Sequence, residues 1–300
     1  WPKHLRTVWS SGLRVHPTQQ PRLLFMKGMI EQLERPEETA SMMERVLRQT
    51  KEQHQVTFFN LTAITSLISV WGMARQLEET VGYLEQEAGP LLDATSMRMI
   101  RLVKRYLRSC EEDGAWEFYI RPDNPEVEGE QPDNFDFILR AEQAYLHGRH
   151  RETLLFAEQA KSMELKIDWV RNRRVLLFET LAQAALFAEG TAAQRRAWAG
   201  AIRRRIKKME AWQGPFGRDS SAYWLIRAEW ARVNRHNRDA LQAYERAADR
   251  AKHEFPSVFR PLCMEKMALY YREKGMKAGS IIALLEAMSA YSAYGYAAKR

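Results

Sequence analysis

Apolar residues recur along this chain at the spacing of an α-helix, in which positions i, i+3, i+4 and i+7 share one face. No run of five or more residues alternates apolar with polar positions while being rich in Val, Ile or Thr, as a half-buried strand would. The pattern therefore predicts an all-α fold. The clearest helical sets are Leu61, Ile64, Ile68 and Trp71; Leu177, Leu181, Ala184 and Ala188; Leu241, Tyr244, Ala248, Ala251 and Phe255; and Ile281, Leu284, Leu285, Met288 and Tyr291.

Small or polar turn positions divide the second half of the chain into pairs of helices. They are separated by 42, 46 and 39 residues and stand at Gly148, Gly190, His236 and Gly275. Twelve residues after the turns come Ala160, Ile202, Ala248 and Ala287. A small residue at this point lets the second helix of a hairpin approach the first, as in tetratricopeptide-like repeats. The spacing predicts a right-handed α-solenoid of degenerate tetratricopeptide-like helical hairpins, with a period longer than the roughly 34 residues of the strict repeat.

Prolines and charge suggest four parts. Residues 1–36 contain four prolines and are predicted to form a lead-in segment. Residues 37–110 are predicted to form N-terminal helical hairpins, with helices near 37–53, 56–73, 76–87 and 94–110. Residues 111–136 hold ten acidic residues against one basic residue and three prolines, which predicts an acidic loop inserted between hairpins. Residues 137–300 are predicted to form the repeat array.

Composition narrows the class of protein. The chain has 300 residues, of which 45% are apolar and 28% charged, with a formal net charge of +8, so we expect a folded rather than a disordered chain. The most apolar stretch, 61–73, is too short to span a bilayer. Two distant cysteines, Cys110 and Cys263, are expected to be small core residues of a cytoplasmic protein. The start at Trp1, without a Met or a signal peptide, suggests an excised fragment.

Motifs for catalysis or cofactor binding do not emerge. The sequence lacks a phosphate-binding glycine motif, and in residues 214–221 the expected role of Ser220 or Asp219 is to cap the following helix. His147 and His150 straddle a predicted turn, without Cys or Asp at metal-ligand spacing. We therefore predict a non-enzyme, with no catalytic residue, no cofactor and no metal.

Two groups of side chains remain as candidates for binding. The first is a basic interaction patch on one helix, consisting of Arg195, Arg196, Arg203, Arg204, Arg205, Lys207 and Lys208. It would suit nucleic acid, anionic lipid or an acidic partner, or it is a solvated helix face that pairs with the acidic loop. The second group is a set of groove aromatics, whose alternative role is core packing: Trp198, Trp212, Trp224 and Trp230.

The last third of the chain resembles a known family. The residues that carry the resemblance are Trp224 to Arg235, Asp239 to Ala247, Ala251, Phe255, Glu265, Ala268, Tyr270, Tyr271, Gly275, Leu284 to Ala287, Tyr291, Gly295, Ala298 and Lys299. Their order is similar to the tetratricopeptide-like helical arm of large multidomain signalling ATPases of the STAND or AAA type, which carry GAF, histidine-kinase, cyclase or DNA-binding output domains. Tyr294 departs from the family's common Trp. The resemblance implies a regulatory and interaction arm.

These observations lead to one expected function and two alternatives. The expected function is a regulatory, effector-sensing helical-repeat module of a cytoplasmic signalling or transcription-regulating protein. Its expected partners are a protein, a peptide or a small effector on the concave face, flanking domains of a larger polypeptide, and a second copy in a homodimer. The first alternative is a stand-alone peptide-binding or chaperone-like tetratricopeptide adaptor. The second is an anion- or nucleic-acid-binding helical protein, although nucleic acid is not the expected partner.

Overall fold

The part of the chain that can be described is entirely helical. The computed structural model describes residues 82, 86, 94–112, 114–120, 134–163, 169–212, 217–254, 258–293 and 295–297. Within these residues the regular elements are ten α-helices, and there is no strand. They are α1 (Ala94–Glu111), α2 (Ala115–Ile120), α3 (Asn134–Leu146), α4 (His150–Ser162), α5 (Trp169–Ala185), α6 (Ala192–Glu210), α7 (Ser221–Val233), α8 (Asn237–His253), α9 (Phe259–Glu273) and α10 (Lys277–Ala293).

Several predicted elements fall in the first 93 residues. The lead-in of residues 1–36 and the helices predicted near 37–53 and 56–73 lie outside the described residues. The helix predicted near 76–87 is described only at Gly82 and Gln86, and both are helical. The long helix predicted near 94–110 is present as α1.

Of the acidic loop predicted for 111–136, residues 113 and 121–133 lie outside the described residues, and the described ends are largely helical. Helix α2 lies within it, and Tyr119 and Ile120 of this helix are buried. Asn134 and Asp136, which open α3, are buried as well. Helix α2 is mostly apolar although the segment as a whole is acidic. Acidic neighbours in the sequence do not prevent the Tyr and Ile side chains from being buried in the core.

The turns within three helical hairpins share one backbone geometry. Gly148, Arg235 and Gly275 have φ angles of 74°, 61° and 76°, in the left-handed region that favours glycine. The amide of the next residue then donates to the carbonyl five positions back, at 2.7 Å for Arg149 to Ala144 and 2.8 Å for Met276 to Tyr271. This is a Schellman motif, which satisfies carbonyls at the end of the first helix. The predicted turn positions Gly148, His236 and Gly275 lie in these turns.

Side chains cap the first turns of α6 and α7. The Thr191 hydroxyl accepts from the amide of Gln194 at 3.2 Å, and the Gln194 side chain accepts from the amide of Thr191 at 2.8 Å. This capping box opens α6 just after the predicted turn at Gly190. The Ser220 hydroxyl accepts from the amide of Tyr223 at 3.1 Å, so Ser220 caps α7 as predicted.

The helices from α3 onward lie in two rows. In one row each helix contacts the next, in the order α3, α5, α7 and α9. In the other row α4, α6 and α8 each contact the two helices of the first row that flank them in sequence, and α10 contacts α9. Both helices of one hairpin therefore pack against the first helix of the next.

Three of the four predicted packing positions carry the small residue alanine, and the fourth carries an isoleucine. The four positions twelve residues after the turns, Ala160, Ile202, Ala248 and Ala287, are all buried. Each lies on the second helix of its hairpin, where a larger polar side chain would separate the two helices. Cys110 and Cys263 are also buried and carry free thiols.

The end of the described chain returns to its beginning. After α10, Gly295 adopts a φ of 79°, and the amide of Tyr296 donates to the carbonyl of Tyr291 at 2.9 Å. The Tyr296 ring packs edge-on against the Tyr291 ring at 6.1 Å. Its hydroxyl lies 2.6 Å from that of Tyr106 on α1, 190 residues earlier. The rows of helices therefore curl far enough to join the last hairpin to α1.

Candidate functional site

A polar cleft opens between the rows of helices near the C-terminal ends of α7 and α9. It has a volume of about 580 Å³. It is lined by Ala185 of α5, Glu229 and Arg232 of α7, Tyr244 of α8, and Lys266, Leu269, Tyr270, Arg272 and Glu273 of α9. Four helices from three successive hairpins thus contribute to one concave site, of a size typical for small ligands or short peptide segments.

Glu229 organises the wall of the cleft. Its side chain is buried, and its Oε1 accepts a hydrogen bond from the Tyr244 hydroxyl at 2.8 Å. Its Oε2 accepts from Nε and Nη2 of Arg232 at 3.1 and 2.7 Å. The carboxylate is held in one orientation, because Tyr244 binds one of its oxygens and Arg232 binds the other.

The charges around Glu229 support one another. Burial raises the pKa of Glu229, but Arg232 and Lys266 outweigh burial, so the pKa lies below its ordinary value. Glu229 in turn raises the pKa of Arg232. Burial raises the pKa of Tyr244 well above its ordinary value, and the neighbouring carboxylate adds to the effect. The cleft wall therefore carries a fixed carboxylate and guanidinium beside a neutral phenol at neutral pH.

Lys266 connects the cleft to the interior of the fold. Its ammonium lies 4.8 Å from the centre of the Tyr145 ring on α3. Burial opposes the charge of Lys266, yet Tyr145 and Glu229 raise its pKa above the ordinary value. The pKa of Tyr145 rises to about 12, chiefly through burial. A cation of the cleft thus stays charged while packed against an aromatic ring.

The rim of the cleft is more exposed. Arg272 and Glu273 are exposed, and Glu273 lies 4.0 Å from Arg232. The Tyr270 hydroxyl donates to the carbonyl of Asn237 at 2.8 Å, which ties α9 to the start of α8. The rim therefore exposes one cation, Arg272, and one anion, Glu273, which also lies 3.0 Å from Lys274, while the wall behind it is fixed by internal pairs.

A second polar network lies behind the cleft, fully inside the protein. Glu142 on α3 forms an ion pair with Arg174 on α5, whose Nε donates at 2.7 Å. The other carboxylate oxygen of Glu142 accepts hydrogen bonds from the hydroxyls of Tyr106 at 2.8 Å and Tyr296 at 3.2 Å. Burial, together with the charge of Glu142, raises the pKa of both tyrosines well above the ordinary value. The network joins α1, α3, α5 and the C-terminal segment.

The predicted basic patch lies on α6, and all but one of its side chains are exposed. Six of its seven members have exposed side chains, namely Arg195, Arg196, Arg203, Arg204, Lys207 and Lys208. Arg205 instead turns towards α5, where it pairs with Glu179 at 2.7 Å and donates to Thr180 at 2.8 Å. Arg205 therefore joins two helices, and the exposed surface consists of the other six cations.

The four predicted groove tryptophans lie outside the cleft, and three of them, Trp212, Trp224 and Trp230, are partly buried and pack against the hydrophobic core, which is their alternative role. None of the described residues that line the cleft is a tryptophan. Trp198 packs so close to Gly190 that a Cβ there would lie 2.5 Å from the ring, and Trp230 meets Phe187 edge-on at 6.1 Å. Trp212 lies under Arg173, whose guanidinium carbon is 4.3 Å from the ring centre. Trp224 lies between Arg246 and Arg227, at 4.6 and 5.2 Å.

The histidines near the first turn pack against aromatic rings. His147 stacks on Trp116 of α2 with ring centres 4.2 Å apart, and His150 lies 5.1 Å from the Tyr145 ring. Among the described residues, no group of three or more His, Cys, Asp or Glu side chains is arranged to hold a metal ion. None of the described helices combines the length and apolar character needed to cross a membrane.

The cleft residues were not singled out from the sequence. Their signal is a polar residue within the apolar pattern of a helix, as with Glu229 and Arg232 on α7 and Lys266 on α9. Such a signal indicates a buried ion pair but does not predict that residues from α5, α7, α8 and α9 lie close together. Comparison with protein-family models finds no match for this chain, and comparison with curated proteins finds none either.

Proposed function

We propose that this chain is a regulatory helical-repeat module, a tetratricopeptide-like α-solenoid that recognises a peptide, a protein segment or a small effector in the polar cleft. The observation that carries the proposal is the cleft itself, which residues of three successive hairpins line and in which charged groups of both signs from α7 and α9 face one concave space. Packing of each hairpin on the next, through both rows of helices, supports the solenoid. The resemblance of the last third to the helical arm of signalling ATPases supports the regulatory role.

The cleft suits a ligand that carries both charges, such as a peptide terminus beside a basic or acidic side chain. Arg272 on the rim is exposed and available to a ligand. Glu273 is exposed as well but also lies 3.0 Å from Lys274, and Glu229 and Arg232 are engaged with each other. An ion pair at the partly enclosed rim contributes more binding free energy than an ion pair at an open surface, because less water screens its charges.

Binding in the cleft would act on the arrangement of the hairpins. A ligand that touches α5, α7 and α9 together favours the curvature in which these helices stand closest, which is a shift in population. In a cytoplasmic signalling protein, flanking domains would respond to that curvature.

Pools of random hexapeptides labelled with fluorescein test the proposal by fluorescence polarisation. We expect Arg272→Ala to weaken binding of the retained peptides by about tenfold or more, as for loss of a charged hydrogen bond. Arg195→Ala removes an equally exposed cation from α6 and is the matched control. Binding that is unchanged in Arg272→Ala, or absent from all pools, contradicts the proposal.

The basic surface of α6 supports a second candidate function, which is binding of a polyanion. Its six exposed cations lie on one helix of 19 residues. For a polyanion such as heparin, the affinity would fall steeply with salt, and Arg203→Ala combined with Arg204→Ala would reduce the slope. Arg205 should be left intact in this test, because it joins α6 to α5. Salt-independent binding excludes this function.

A further inference from the structure

Helix α10 is apolar on both of its sides. Ala283, Ala287 and Tyr291 are buried against the rest of the fold. The opposite side exposes five large apolar side chains to between 41% and 61% of their surface: Ile281, Ile282, Leu284, Leu285 and Met288. A helix that is apolar all round is normally covered on all sides. Among the described helices of this row, α4, α6 and α8 each contact two flanking helices, whereas α10 packs mainly on α9.

The exposed side of α10 is complementary to itself. Ile281, Leu284, Leu285 and Met288 follow the spacing i, i+3, i+4, i+7, which is symmetric about the point between Leu284 and Leu285. In an antiparallel copy related by a two-fold axis at this point, Ile281 faces Met288 of the second copy, and Leu284 faces Leu285. Such isologous contacts are the commonest form of symmetric dimer.

The size of the surface fits a dimer. The five exposed side chains present roughly 500 Å² of apolar surface, which lies near the upper limit for the largest patch on a typical monomer. With the flanking polar residues, two such surfaces exceed the roughly 1,000 Å² that a specific interface needs. The patch is therefore large enough to hold two copies together.

Charges on α10 do not oppose this arrangement. The helix carries two charged residues, Lys277 and Glu286. Glu286 lies 3.8 Å from Lys252 of α8, so its charge is compensated within the same copy. Lys277, at the start of the helix, falls opposite Ser292 of the second copy in the antiparallel register. Within α10, no like charges meet across the two-fold axis.

We propose that α10 is the interface of a homodimer, in which it packs antiparallel against α10 of a second copy. None of the described residues that line the cleft belongs to α10, so each copy keeps its cleft open. The dimer presents two clefts to a partner, and a partner with two recognition segments would bind with gained avidity.

Light scattering and sedimentation of the full 300-residue chain, over a range of concentrations, test the proposal. The wild-type chain should have the mass of a dimer. Leu285→Glu places two charges at the two-fold axis and should raise the dimer dissociation constant by about 100-fold or more. Leu155→Glu is the matched control, because Leu155 on α4 is 46% exposed and lies outside α10; its mass should stay that of the wild type.

A wild-type chain that is monomeric at every concentration overturns the proposal, as would happen if the apolar segment 56–73 of the same chain covered α10. A dimer that persists in Leu285→Glu also overturns it. Circular dichroism of each variant verifies that the helices are retained.

Cysteine cross-linking then tests the antiparallel orientation. In the Leu285→Cys variant, the introduced cysteines of the two copies should form a disulfide with each other, because position 285 lies beside the two-fold axis. Ile281→Cys should not cross-link to itself but should cross-link to Met288→Cys when the two variants are mixed. Self-cross-linking of Ile281→Cys would indicate parallel helices and contradict the proposed arrangement. The native Cys110 and Cys263 are buried, so they give little background.

Discussion

Several buried charged residues in the described part of the chain pair with an opposite charge. Glu142 pairs with Arg174, Asp136 with Arg140 at 2.8 Å, and Glu229 with Arg232 at 2.7 Å. Such pairs add little net stability over apolar residues, but removal of one partner leaves an uncompensated charge in a poorly solvated place. These pairs therefore determine which arrangement of the helices is tolerated.

The pair of Glu142 and Arg174 gives the first prediction. Glu142→Gln leaves the Arg174 guanidinium buried without a counter-charge, so we expect the free energy of unfolding to fall by about 3–5 kcal/mol. Urea denaturation measures this loss. Glu112→Gln is the matched control, because Glu112 pairs with Arg108 at 2.8 Å on the surface and should contribute less than about 0.5 kcal/mol. Equal losses in the two variants would contradict the account.

Two buried carboxylates predict opposite responses to acid. The pKa of Glu229 in the folded protein lies below 4.5, so its contribution is present above about pH 4.5 and is lost as the pH falls through the folded pKa. The pKa of Glu254 lies above 4.5 through burial, so its contribution grows as the pH falls. Urea midpoints from pH 7 to about pH 3 should fall less steeply in Glu229→Gln than in the wild type, and more steeply in Glu254→Gln. Parallel curves would refute the assigned pKa directions.

Helix ends and turns are features of single elements, and they could be predicted from the sequence. Gly148 and Gly275 permit the left-handed backbone that the turn requires, and Ser220 caps α7 through its own hydroxyl. Such signals are local, since the residue and the backbone it serves lie within a few positions. The signal weakens at His236, where the left-handed residue is the preceding Arg235.

Substitutions in two of the turns should change the free energy of unfolding in opposite directions. Gly148→Ala forces a Cβ into a φ of 74° and should lower the free energy of unfolding by about 1 kcal/mol, although the space around it is open. Arg235→Gly removes a Cβ from a φ of 61° and should raise it by up to about 1 kcal/mol. Thermal and urea denaturation measure both. A gain in Gly148→Ala or a loss in Arg235→Gly would contradict the turn geometry.

Periodicity predicts that a helix has an apolar face but does not identify what covers it. The set Ile281, Leu284, Leu285 and Met288 predicts α10 correctly, yet in this structure these side chains are exposed and the smaller Ala283 and Ala287 are buried. The acidic segment 111–136 likewise concealed α2, because net charge averages over residues that point in different directions. The neighbours of a helix decide which face is buried, and they lie far away in sequence.

At the scale of the whole molecule, the decisive contacts join distant residues. Tyr296 reaches Tyr106 and Glu142, and Lys266 reaches Tyr145, so the last hairpin packs against the first helices. The sequence around these residues gives no sign of their distant partners. The polar cleft and the return of the C-terminal segment could therefore not be predicted from the sequence.

Tyr296 tests whether this return stabilises the fold. Tyr296→Ala removes a buried ring and a hydrogen bond to Glu142, so we expect a loss of about 3–5 kcal/mol in the free energy of unfolding. Hydrogen exchange of amides in α1 should become faster, because Tyr106 on α1 loses its partner. Tyr271→Ala, at a half-buried tyrosine of α9, is the matched control and should leave exchange in α1 unchanged. Unaltered exchange in α1 of both variants would contradict the closure.

The central claim is that a partner binds in the cleft between the hairpins. Photo-cross-linking with benzophenone-bearing hexapeptide pools, followed by mass spectrometry, locates the bound peptide directly. The account predicts attachment to the cleft-lining ends of α7 and α9, and its loss in Arg272→Ala. Attachment confined to the basic surface of α6 or to α10 would contradict it.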